Sequence, residues 1–193
     1  RTTIAEIRLD LKTIYANQDR PLIVCLTDVR TGKAVYHETR ADDLEPVLKA
    51  SSAMPILYRD FPLIDGRPMA DGGLVDGIPV GEAIRRGARR IMVIRSRPRN
   101  YEKRENLLQH ILNWRLRRFP LLRGAMTRRV RRYNETVKLI RQPPPGISIT
   151  EICPPDTFRS SRLSRDPRIL FEGYEQGRAL AGEAIDAWER TPA

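Results

Sequence analysis

ASSAMPILYRDFPLIDGRPMADGGLVDGIPVGEAIRRGARRIMVIRSRP, residues 50–98, decides how this chain is read. Asp-Gly occurs three times in it, at 65–66, 71–72 and 76–77. Each step signals a turn, because Gly accepts positive φ and Asp tolerates it. Pro79-Val80 opens a short helix that runs to Arg86, and Gly87 ends it as a left-handed cap. IMVIRS (91–96) follows as a strand. Strand, turn, helix, Gly cap and strand form a βαβ pattern, which predicts a parallel sheet with a right-handed crossover.

Upstream, Ile4, Ile7, Leu11 and Ile14 share one face of a helix. PLIVCLTDV (21–29), Thr31-Gly32-Lys33 and AVYH read as strand, tight turn and strand, the first buried because it is apolar on both sides. Asp42 or Asp43 can cap a helix carrying Leu44, Val47 and Leu48. That helix leads into Ala50-Ser51-Ser52-Ala53, whose small side chains permit backbone to pack on backbone. Downstream, Leu107, Leu108, Ile111, Leu112, Leu116 and Phe119 keep one face. Leu122, Met126, Val130, Tyr133, Val137 and Ile140 keep another, so two amphipathic helices join near Pro120. Pro143-Pro144-Pro145-Gly146 stops them and ISITEIC (147–153) returns to β character. Asp166-Pro167 opens a last helix with Leu170, Tyr174, Ala181, Ala184 or Ile185, and Trp188 as its buried face.

With 193 residues, 40% of them hydrophobic, the chain can bury a sizeable core as one domain or a large part of one. It opens on Arg1 in the middle of a helical pattern and reads as a fragment of something longer. No apolar run approaches the roughly 20 residues that span a bilayer, and no signal-peptide pattern is visible. Cys25 and Cys153 each lie in an apolar run and read as core thiols suited to a reducing cytoplasm, without metal-ligand spacing. The net charge of +11 is concentrated: residues 95–141 hold 15 Lys and Arg against three Glu.

Residues 50–98 resemble the C-terminal half of the patatin-like phospholipases. The resemblance rests on Ala50-Ser51-Ser52-Ala53, then Asp65-Gly66-Arg67, Asp71-Gly72-Gly73, Gly77-Ile78-Pro79-Val80, Gly87-Ala88 and the IMVI strand, in family order. Thr27-Asp28-Val29 with Thr31-Gly32-Lys33, and later Tyr133-Asn134 and Tyr174 with Gly177, look like the family's bacterial branch. Where the family often has Asn before the proline, this chain has Gly77-Ile78. The resemblance implies a three-layer α/β/α domain with a mostly parallel sheet. Residues 1–98 are then the C-terminal part of its catalytic domain. Residues 99–193 are a helical extension with one added strand, packed on the same domain.

Such enzymes are lipid acyl hydrolases that use a Ser-Asp dyad without histidine, metal or other cofactor. By resemblance Asp71 is the dyad carboxylate, with Gly72 and Gly73 supporting it through positive φ and by leaving room for a substrate chain or the nucleophile. The family's G-x-S-x-G serine turn and glycine-rich oxyanion loop do not occur in these 193 residues. Ser51, Ser52 and Ser148 sit in no such elbow. His37 and His110 read as surface or packing histidines. The expected substrate is a lipid or small ester.

Eight arginines lie between Arg115 and Arg132. They suit an anionic membrane surface, which gives a cytoplasmic protein a peripheral site on the bilayer. Nucleic acid is disfavoured, since no stacking motif, zinc ligand set or helix-turn-helix accompanies the charge. A solvated outer face is the plain alternative. At the level of function, the alternative to a hydrolase is a catalytically inactive patatin-like module that holds anionic lipid or nucleic acid through its basic helices.

Overall fold

A computed structural model describes residues 10–16, 19–55, 58, 60–105, 114, 116–161 and 164–190. Ile4, Ile7, Leu107, Leu108, His110, Ile111, Leu112 and Arg115 lie outside them. The chain forms two compact units, residues 1–78 with 104–133, and 79–103 with 134–193. Among the described residues no helix is long and apolar enough to cross a membrane.

The first unit is built on two hairpins. After helix α1 (Leu11–Ala16), strands β1 (Ile23–Asp28) and β2 (Ala34–Glu38) pair antiparallel from Ile23↔Glu38 to Thr27↔Ala34. Their turn is held by the Asp28 carboxylate, which accepts the N–H groups of Arg30 at 2.8 Å and Thr31 at 3.0 Å. Helix α2 (Leu44–Ser51) follows, then β3 (Leu63–Ile64) and β4 (Arg67–Asp71). Asp65 and Gly66 link β3 to β4 with φ of 51° and 71°. Positive φ at both central residues defines the type I′ turn that Asp-Gly favours. β4 also pairs antiparallel with β1, giving the order β2-β1-β4-β3.

The expectation of a mostly parallel sheet is therefore corrected: among the described residues this four-stranded sheet is antiparallel throughout. Each hairpin link is too short for the crossover that parallel neighbours require. Among the described residues the only parallel pair is β5 (Arg90–Ile94) with β6 (Ser148–Ile152), in the second unit. β4 and β5, joined in sequence by helix α3 (Val80–Arg85), belong to different sheets. The βαβ pattern is present in order but does not close into one sheet.

Alternation along the strands sends side chains to two clusters. Val24, Leu26 and Met69 pack with Val47 and Ala50 of α2. Val29 and Ala70 pack with Leu74, Leu116, Leu122 and Met126. These last residues come from a 3-10 turn (Leu116–Arg118) and helix α4 (Pro120–Thr127), with Pro120 at its first turn, where a missing N–H costs nothing. Helix α5 (Arg129–Arg141) follows, so the single helix expected over 122–140 is broken at Arg128. Its apolar face is as expected, with Val137 and Ile140 buried and Val130 and Tyr133 half-buried.

In the second unit, Gly87 takes φ 96° after α3, the left-handed cap anticipated there. Inside α3, Glu82 accepts bonds from Arg85 at 2.6 Å and Arg86 at 2.7 Å. These bonds, Arg85 first, hold its carboxyl down to about 2 against the opposing effect of burial. Arg95 and Glu151 form a buried ion pair across the parallel strands. Cys153, beside it, has its thiol pushed up to about 11 by burial and then by Glu151. It is a protonated thiol at neutral pH.

Helix α6 (Pro167–Arg190) presents the expected face in its second half, where Ala181, Ala184 and Trp188 are half-buried. In its first half the face is turned: Leu170 and Tyr174 are exposed, whereas Ile169 and Gly173 are half-buried. The cause lies at Gly173, where a Cβ would come within 3.2 Å of the Phe158 ring. Close approach through a glycine, rather than the largest apolar side chains, sets the helix rotation.

Gly32 has φ 63°, and a Cβ on it would overlap the Leu121 carbonyl. Gly32→Ala is expected to cost about 2 kcal/mol or more in urea unfolding. Gly66→Ala meets open space and should cost only about 1 kcal/mol. Glu82 contributes stability above its unfolded pKa of about 4.3, lost as pH falls through about 2. Glu82→Gln should thus unfold more readily than wild type at pH 6, with the gap closing toward pH 2.

Candidate functional site

The Asp71 turn is assembled from four segments of the first unit. β4 delivers Asp71 opposite Leu26 of β1. Its N–H donates to the Ala53 carbonyl at 3.0 Å, and its carbonyl accepts the Thr27 hydroxyl at 2.8 Å. The backbone of Asp71 is thereby tied to the strand beside it and to the Ala50–Ala53 segment. The small residues of that segment serve this approach: Ser51 Oγ donates to the Cys25 carbonyl at 2.9 Å.

The half-buried side chain of Asp71 caps the 3-10 turn Gly72–Leu74 that it begins. Its Oδ1 accepts the Gly73 N–H at 2.7 Å. Among the described residues, Oδ2 has no hydrogen-bond partner and Asp71 forms no ion pair. Arg129, the first residue of α5, reaches the same turn but donates Nε to the Gly73 carbonyl at 2.7 Å. An arginine thus fixes the turn's backbone.

The roles expected for the glycines need correction. Neither Gly72 nor Gly73 has positive φ. Gly72 is buried, and a Cβ on it would overlap the Cys25 carbonyl of β1. It makes room for the protein's own strand, not for substrate. A Cβ on Gly73 would come within 3.1 Å of Asp71 Oδ1, so this glycine keeps the capping carboxylate in place.

Asp76, read as a turn former, also accepts the Tyr36 hydroxyl at 2.6 Å and so ties β2 to the loop after the motif. His37, half-buried, places Nε2 at 2.8 Å from Asp43 Oδ2. It takes no part in the Asp71 turn. Sequence reasoning missed Tyr36 and Arg129. Tyr36 carried no local signal, and Arg129 was one arginine among eight. A groove elsewhere in the unit, lined by Pro55, Tyr58, Asp60, Phe61, Trp114 and Phe119, does not include Asp71.

An α/β scaffold thus presents an aspartate in a glycine turn, anchored at its backbone and open at one carboxylate oxygen. Residues 16–84, which contain this turn, match the family described as Patatin-like phospholipase. Residues 119–191 match a domain of unknown function, DUF6363. The uncharacterized protein YjjU of Escherichia coli (strain K12) is 32% identical over 163 residues, covering 77% of this chain and 45% of that protein. The chain therefore spans less than half the length of this curated relative.

Gly72→Ala should separate β1 from β4 at the Cys25 carbonyl. The expected loss is about 1–3 kcal/mol of stability, read as a lower urea midpoint.

Proposed function

We propose that the protein is a serine-dependent lipid acyl hydrolase in which Asp71 is the carboxylate of a Ser-Asp dyad. The serine and the oxyanion glycines would come from sequence outside these 193 residues. The observation that carries this reading is the division of roles within the Asp71 carboxylate. Oδ1 is held by the Gly73 N–H at 2.7 Å, which fixes the direction in which Oδ2 can accept a proton. A base oriented before substrate arrives needs no reorganisation during reaction. The patatin-like match over residues 16–84 supports the same reading.

In this scheme Oδ2 takes the serine proton as Oγ bonds to the ester carbonyl carbon. The proton then passes to the departing alcohol, and water releases the acyl group by the same exchange. General-base assistance of this kind is worth about 10²- to 10⁴-fold. Residues 1–98 would form the C-terminal part of a three-layer catalytic domain and residues 99–193 its helical extension. The setting would be cytoplasmic, with ester or lipid substrate and no cofactor.

Asp71→Asn keeps an oxygen for the Gly73 N–H and removes the base. In the full-length protein it should lower hydrolysis of short p-nitrophenyl esters by about 10²- to 10⁴-fold without changing the urea midpoint. Residues 1–193 alone should show no turnover. Equal turnover by wild type and variant would overturn the dyad, and no turnover by the full-length wild type would favour an inactive lipid- or nucleic-acid-binding module.

A further inference from the structure

Among the large apolar side chains of the first unit that face solvent are Trp114 at 66% exposure and Leu121 at 59%. Arg117, Arg118, Arg123 and Arg128, all exposed, lie between and just after them. Residues 114–134 contain eight arginines and no Asp or Glu. The Arg117 guanidinium sits over the Trp114 ring, 5.3 Å from its centroid.

The exposure of Leu121 is imposed by the fold. Leu122, Ala125 and Met126 fill the core, and the Leu121 carbonyl is pressed against Gly32. Helix α4 is therefore fixed in rotation with Leu121 outward. Arg129, next after Arg128, is anchored on Gly73, which secures the other end of the basic segment.

We propose that the surface from Trp114 to Arg128 docks on an anionic lipid bilayer. The arginines would meet headgroup phosphates while Trp114 and Leu121 enter the interfacial layer, where an amphipathic ring and an aliphatic side chain both gain. Phosphates of nucleic acid would satisfy the arginines equally, but an exposed leucine gains only from an apolar phase. The apolar pair decides between the two. The proposal deepens the hydrolase reading by naming its partner surface, and its test measures adsorption rather than turnover.

The full-length protein is floated with phosphatidylcholine vesicles, with and without phosphatidylglycerol. Binding should require phosphatidylglycerol and weaken as salt rises. Arg117→Gln/Arg118→Gln/Arg123→Gln should reduce it roughly a hundredfold, at about fivefold per cation, and Leu121→Gln about tenfold. In a single-tryptophan variant that keeps Trp114, emission should shift to the blue on adding these vesicles. Equal binding to phosphatidylcholine alone, no binding, or Trp114 emission unmoved by bound vesicles would each overturn the proposal. So would tighter binding to a mixed-sequence oligonucleotide than to phosphatidylglycerol vesicles. Asp71→Asn should bind vesicles as wild type does, so dyad and docking surface fail independently.

Discussion

The close approach of Gly72 to the Cys25 carbonyl is the constraint on which the first unit depends. β1 and β4 pair through Leu26↔Asp71, Thr27↔Ala70 and Asp28↔Met69, and the ladder ends where Gly72 turns away beneath β1. A side chain there would force the strands apart. Three further interactions presuppose that contact: the Thr27 hydroxyl on the Asp71 carbonyl, the Asp71 N–H on Ala53 and the Ser51 hydroxyl on Cys25. Each joins the Asp71 turn to a neighbouring segment. The carboxylate is thus placed by backbone geometry, with its own side chain adding only the cap on Gly73.

What was legible in the sequence was what a single residue's backbone decides. Asp65-Gly66 and Gly87 need positive φ, and both positions have it. The strand-turn-strand reading of residues 21–37 held for the same reason: TGK supplies a left-handed glycine, and Asp28 supplies the acceptor for the turn's N–H groups. Pairing between segments was not legible. The helix between β4 and β5 suggested a parallel crossover, but hydrogen bonding of β5 to β6 is a choice made by residues 58 positions away. The face of the first half of α6 was lost similarly, because Gly173 seats α6 against Phe158 and no periodicity records that contact. At the candidate site, Asp71 was found by its motif. The reason for its glycines lay in β1 and could only be seen in space.

Much of the basic excess is structural, which bears on how a net charge of +11 should be interpreted. Arg129 donates to the carbonyl of Gly73, Arg90 to that of Trp188 and Arg141 to that of Arg99. Arg85 and Arg86 bind Glu82, and Arg95 binds Glu151. A guanidinium suits these tasks because its planar fork carries several donors and is weakly hydrated, so it crosses between segments at small desolvation cost. Lysine, a compact and strongly hydrated charge, would serve them less well. Arginine abundance alone is therefore poor evidence for a polyanionic partner. What distinguishes residues 114–128 is that exposed arginines share a short segment with exposed Trp114 and Leu121 and lack acidic neighbours in sequence. There the core and the Gly32 contact fix Leu121 outward among exposed arginines, and it is this combination, not the charge, on which the bilayer proposal rests.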